Sequence, residues 1–235
     1  MSGSIRLHVA AGLRDGAELD ATAAQAHYLG SVMRRGAGNL VRLFNGVDGE
    51  WQARILSLRR DRARLGVESL VRPQVPEPDL WLVFAALKRD ATDLLAQKAT
   101  ELGASALLPV FTERTNAARL NEARLLTIAT EAAEQCERLT LPRIAPPRRL
   151  ADLLGEWPAD RVLVAAIERH DAPPVPSLAG PAALLVGPEG GFTGAELDAL
   201  RSCPFVVPAS LGVRILRAET AAIVGLALLQ TPRGG

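Results

Sequence analysis

Cysteine and lysine are scarce here, and so are clusters of metal-binding residues. The two cysteines, Cys136 and Cys203, have no CxxC spacing, and the three histidines, His8, His27 and His170, are scattered along 235 residues. A structural disulfide is therefore not expected in a reducing compartment, and a metal site lacks clustered ligands. No apolar run reaches the length of a membrane span, and the opening MSGSIRLHVA lacks the charged-then-apolar pattern of a secretory leader. The expected location is the cytoplasm. A dinucleotide-binding fingerprint is missing too, because Leu87 is followed by Lys88-Arg89-Asp90 and not by glycines. The glycines come much later, at Gly187–Gly191, with no P-loop lysine behind them, which disfavours a nucleotide-phosphate enzyme.

The formal charge is near balance at +1, so overall charge does not announce a polyanion partner. Its distribution is uneven. Residues 1–72 carry 11 Arg, no Lys and 7 acidic residues, a net +4, which leaves −3 for the remainder. A basic N-terminal module suits a phosphate backbone. An arginine-biased composition accounts for the same numbers, since Lys88 and Lys98 are the only lysines.

Residues 1–72 read as short strands with one helix. Leu40–Phe44 and Trp51–Leu58 flank the turn-like Asn45–Gly49 and predict a hairpin; Arg62–Leu70 supplies another strand, and Ala21–Arg34 a helix. This content predicts a small β-barrel. Residues 73–78 hold three prolines and form a linker. From residue 79 to 235 the pattern alternates. Strands are predicted at Leu80–Leu87, Ala106–Phe111, Arg161–Ile167 and Ala182–Val186, with helices at Thr92–Leu102 and Leu120–Cys136. Continuous apolar strands between helices predict an α/β domain on a parallel sheet.

Two stretches carry chemistry. In the first, the buried-looking strand ending at Val186 runs into Gly187-Pro188-Glu189-Gly190-Gly191-Phe192, and Thr193 and Glu196 then form a capping box. A strand, a glycine turn and a helix start make a cradle for a polar ligand, or simply a tight turn at a sheet edge. In the second, the short strand Phe205–Val207 leads into Ser210-Leu211-Gly212-Val213-Arg214-Ile215-Leu216-Arg217-Ala218-Glu219, ahead of an apolar helix at Ala221–Leu229. Arg217 and Glu219 are either functional or an ion pair that fixes the helix start.

With these stretches in hand, the sequence resembles the SPOUT class of RNA methyltransferases. In detail it is similar to the bacterial ribosomal RNA small subunit methyltransferase E family, which methylates N3 of a uridine in 16S rRNA. Besides the two C-terminal stretches, the resemblance includes His27–Arg34, Gln97–Gly103 with Pro109 and Glu113-Arg114, and Glu134-Gln135-Cys136. It implies a PUA-like RNA-binding barrel, then an α/β sheet tied in a trefoil knot that forms a homodimer. It implies S-adenosylmethionine as cofactor and the small-subunit 16S rRNA as partner. Cofactor contacts are implied for Leu185, Val186, Gly187, Pro188, Glu189, Gly190 and Gly191, for Leu211, Gly212, Ile215 and Leu216, and for Ile167 and Glu168. Two departures stand out: Leu7 follows Arg6 where the family often has an aromatic residue, and Thr115 stands where it often has Ser.

On this reading Arg217 stabilises charge on a uracil carbonyl as N3 deprotonates, and Glu219 orients the base or accepts the proton. Arg6, Arg34, Arg35, Lys88 and Arg114 are the candidate RNA contacts. Methylation of another RNA or base position, and a non-catalytic RNA-binding assembly factor, are the alternatives.

Overall fold

The computed structural model describes residues 4–115, 120–168, 172–178 and 180–230, with the Glu168 side chain excepted. His170 lies outside the described residues. Contacts divide the chain into two compact units, Met1–Pro76 with Ala133–Leu141, and Glu77–Ala132 with Pro142–Gly235.

In the first unit, β1 (Arg6–His8), β2 (Glu18–Ala21), β3 (Leu40–Phe44), β4 (Glu50–Arg59) and β5 (Arg62–Arg72) form one sheet in the order β1-β3-β4-β5-β2. β1 and β3 run parallel and the other neighbours antiparallel. Alternate residues of these strands, among them Leu7, Val41, Leu43, Ile55 and Leu65, face a common core with Leu29. The expected long helix is shorter. α1 (Ala23–His27) starts at a Thr22–Gln25 capping box and passes into a π-helical turn at Tyr28–Val32. β1 and β2 are too short for period-two alternation to reveal them in the sequence.

Arg6 does not face solvent. It is 7% exposed, and its Nε donates to Glu50 Oε1 at 2.5 Å. Its Nη1 donates to the carbonyls of Ala133 and Glu134 at 2.7 and 3.1 Å, and Nη2 to that of Arg138 at 2.9 Å. The guanidinium stacks on Phe44, 4.5 Å from the ring centre. Arg72 donates to the other Glu50 oxygen at 2.8 Å and to the Glu137 carbonyl at 2.9 Å. These carbonyls belong to the end of a helix and the turn after it, where backbone acceptors lack intrahelical partners. Arg6 satisfies them and so brings residues 133–141 into the first unit, although the linear division at residue 79 puts them in the second. Arg6 is therefore a structural residue and not an RNA contact.

The second unit holds a seven-stranded, wholly parallel sheet. Its strands are β6 (Leu80–Ala85), β7 (Ala106–Phe111), β8 (Arg143–Ile144), β9 (Arg148–Arg149), β10 (Val162–Glu168), β11 (Ala182–Val186) and β12 (Val206–Ser210). The order is β12-β10-β11-β6-β7-β8, with β9 also on β7. The helices are α2 (Arg89–Glu101), α3 (Glu122–Gln135, ending in the first unit), α4 (Leu150–Gly155), α5 (Gly194–Ser202) and α6 (Ala218–Gln230). One face of the sheet sends Leu82, Phe84, Leu184 and Val186 into a core with α2 and α6; the other sends Val83, Leu163 and Leu185 into a core with α4 and α5. α6 passes close to β11 because Gly225 faces Leu184, where an added Cβ would come within 2.6 Å of the leucine side chain. α6 begins three residues earlier than the sequence suggested, so Glu219 lies inside its first turn. Among the described residues no helix is long and apolar enough to cross a membrane, and no group of three or more His, Cys, Asp or Glu could hold a metal.

Burial pushes the Glu50 pKa up, but the Arg6 and Arg72 hydrogen bonds and charges pull it down further, to a net value below the usual carboxylate range. Its contribution to stability is then complete above the pKa of the unfolded chain and is lost as pH falls through the lower folded value. Arg6→Ala leaves the buried Glu50 carboxylate with Arg72 alone and three carbonyls without their donor, and should cost about 3–5 kcal/mol in urea unfolding. Glu50→Gln should flatten the acid limb of the stability–pH curve; an unchanged limb would show that this carboxylate carries no linkage.

Candidate active site

β10 lies between β11 and β12, and all three run the same way, so their carboxyl ends share one edge of the sheet. β11 is buried at all five positions and fixes where the chain leaves the sheet. The turn that follows is closed by the Gly191 N–H donating to the Pro188 carbonyl at 2.8 Å. Phe192 packs beneath it, and a Cβ at Gly187 would stand 2.8 Å from its ring. The Thr193–Glu196 capping box then starts α5, with both of its reciprocal bonds formed. The second loop leaves β12 through Gly212, whose φ of +112° is closed to ordinary side chains. The Gly212 N–H donates to Ser210 Oγ at 3.2 Å.

The two loops meet around one cavity of about 340 Å³. Ile167, Val186, Gly187, Pro188, Glu189, Gly190 and Gly191 line it, as do Leu211, Gly212, Ile215 and Leu216 from the second loop. Among the described residues its charged lining groups are Glu189 and Arg214, both exposed. The apolar lining is unusually open, with Ile215 73% exposed.

Among the described side chains, the remaining candidates do not line it. Leu185 alternates away from Val186 and is fully buried in the opposite core, so its side chain cannot reach the cavity. Glu168 ends β10, and its side chain is outside the described residues. Arg217 is exposed and Glu219 half-buried; neither is among the lining residues, and neither has an ion pair with a described residue. Sequence reasoning overlooked Phe192, Ala209, Ala218 and Ala221 as lining groups. The two α6 alanines could have been found, since small residues opening a buried helix leave room beside a loop. Of the proposed RNA contacts in the first unit, Arg34 is exposed with φ +51°. Arg35 is half-buried, and its Nε has no partner among the described residues. In the second unit Lys88 is exposed on a separate cavity of about 520 Å³ shared with Arg89, Asp93 and Arg124. Arg114 is exposed and donates to the Gly190 carbonyl at 2.8 Å.

Residues 75–230 match the RNA methyltransferase domain family, and residues 21–68 the RNA methyltransferase PUA domain. A ribosomal RNA small subunit methyltransferase E of Rickettsia conorii is 32% identical over 230 residues, covering 94% of this chain and 93% of that protein. The chain belongs to that family. The Synechocystis member is 34% identical over 215 residues, 88% of this chain and 70% of its own. The Neisseria gonorrhoeae family member, solved bound to S-adenosyl methionine, matches with a TM-score of 0.87 at 27% identity over 97% of each chain. A putative methyltransferase of Legionella pneumophila, solved with bound cofactor SAM, matches at 0.86 and 28%, again over 97% of each. The expected α/β fold with a PUA domain ahead of it is thereby established for this family member.

Gly187→Ala overpacks the turn against Phe192 and should destabilise by about 1–3 kcal/mol. Gly194 has nothing within 4 Å of an added Cβ, so Gly194→Ala should be neutral or stabilising. Thermal unfolding of the two variants checks this, and equal midpoints would contradict the packing assigned to Gly187.

Proposed function

We propose that this protein transfers a methyl group from S-adenosylmethionine to N3 of a specific uridine in 16S rRNA of the small ribosomal subunit. The observation that carries the reading is that two separate loops, one after β11 and one after β12, close on a single cavity. The residues there suit the donor. Backbone N–H groups and carbonyls of the turn 187–191 offer polar contacts. Ile167, Val186, Leu211, Ile215 and Leu216 offer an apolar wall, and the exposed Ile215 is a surface that an adenine would cover. When bound, the donor supplies a methyl group already activated by a positive sulfur. The protein's own task is then alignment, worth up to ~7–11 kcal/mol in well-oriented systems.

N3 of uracil lies on the pairing edge, so the target is unpaired or flipped out. Its proton must leave before nitrogen can attack. Arg217 is assigned to the carbonyl oxygen that gains charge, and Glu219 to orienting the base or accepting the proton, directly or through water. Their position supports this: they follow Leu216, which lines the cavity, and neither is tied up by a described neighbour. Arg214, on the lining itself, is the substitute if Arg217 proves idle. Arg34, Arg35, Lys88 and Arg114 would contact RNA phosphates. The chain would act in the cytoplasm, as a homodimer through its second unit, with the apolar α6 in the interface. Its sheet would be tied in the trefoil knot that the family membership implies.

Arg217→Ala and Glu219→Ala should lower turnover by about 10²–10⁴-fold while leaving the melting temperature unchanged. Tritiated methyl transfer to unmethylated small subunits and to bare 16S rRNA measures this, and the expected product nucleoside is 3-methyluridine. A different methylated nucleoside would redirect the specificity; no uptake of donor would reduce the protein to an RNA-binding factor.

A further inference from the structure

The loop after β7 and the glycine turn after β11 are tied together at two points. Oε2 of Glu196 completes the capping box, accepting from the Thr193 backbone N–H at 2.9 Å. Its other oxygen, Oε1, accepts from the backbone N–H of Glu113, also at 2.9 Å. Arg114 then donates from Nη1 to the Gly190 carbonyl at 2.8 Å. Its stem lies along Gly190, with Arg114 Cβ 3.4 Å from where a side chain at 190 would begin. The loop is also closed on itself, since the Thr112 N–H donates to Thr115 Oγ1 at 2.9 Å and the Thr115 N–H to the Thr112 carbonyl at 3.1 Å.

A capping box asks for one acceptor oxygen, and Gln serves as well as Glu. A carboxylate has two, and here the second reaches another loop. The pinned carbonyl belongs to Gly190, which lines the cavity. A closed loop held at Gly190 on the cavity wall and at Glu196 in the first turn of α5 cannot shift independently of that wall.

We propose that Glu196 is a positioning residue that couples the cavity to the Glu113–Arg114 loop, so that filling the cavity tightens the protein's hold on RNA. The inference rests on the functional reading above, in which the turn 187–191 grips the donor and Arg114 faces RNA. A ligand that orders the turn orders Gly190 and the start of α5, and through them Arg114. By linkage, bound RNA strengthens donor binding by the same factor.

The test is filter binding of 16S rRNA to the full-length protein, with and without saturating S-adenosylhomocysteine, which occupies the donor site and cannot react. Wild type should bind RNA about fivefold or more tightly when the site is filled. Glu196→Ala breaks the cap and the bridge together, and the ratio should fall below about twofold. Thr193→Ala removes the capping hydroxyl and leaves both carboxylate bonds to backbone possible, so it should lower the melting temperature yet keep the wild-type ratio. Loss of the ratio in Thr193→Ala would assign the effect to α5 stability and overturn the proposal. A wild-type ratio near one would overturn it as well, while leaving the functional reading intact so long as each ligand binds by itself. Failure of wild type to bind either ligand would sink that reading and this inference together.

Discussion

The position of β10 between β11 and β12 is the constraint on which the site depends. From β10 the chain moves to one side to make β11, then returns across β10 to make β12. At such a reversal of strand order the loops diverge and leave a crevice beyond the carboxyl ends of the strands. The end of β10 forms its floor through Ala166 and Ile167, and the loops from β11 and β12 form its walls. No single side chain creates this cavity. The backbone path does, which is why its lining is mostly glycine, alanine and aliphatic residues.

That path demands close packing where the chain leaves the sheet. β11 is covered on both faces, so its period of two divides neighbours between two cores: Leu184 and Val186 on one side, Leu185 on the other. The turn can then approach the sheet only if nothing projects from Gly187 into Phe192, and α6 can seat on β11 only if nothing projects from Gly225 into Leu184. Phe192 is both a core residue and a cavity wall, so the stability of the sheet edge and the shape of the site are linked in one ring.

The central sheet was legible in the sequence because buried parallel strands are continuous apolar runs. Ala106–Phe111 and Ala182–Val186 were bounded correctly from that signal alone. The glycine turn and its capping box were legible because glycine spacing and Thr-x-x-Glu are local patterns. What escaped is long-range. No local pattern announces that Arg6 meets carbonyls more than 120 residues away, so it read as a surface cation. That Leu185 and Val186 face opposite cores follows from strand alternation; which of the two cores lies beside the cavity is set by elements outside their segment. The helix start at Ala218 was misplaced because Arg217 and Glu219 interrupt the apolar pattern, although charge in a first turn is compatible with a helix.

Burial separates the arginines committed to the fold from those beside the cavity. Arg6, Arg138 and Arg161 are buried; Arg161 donates to the Asp79 and Ala182 carbonyls and stacks on Trp81 at 3.6 Å. A buried cation without partners is strongly unfavourable, so these side chains are committed to the fold. Arg214 and Arg217 are exposed beside the cavity and keep their hydration in the resting protein. They cost the fold little, and they can exchange water for a developing negative charge when a substrate excludes solvent. Under the proposed function, a cation held in reserve next to an apolar cavity suits methylation of a uracil imide, because the charge it would balance exists only once the proton has left.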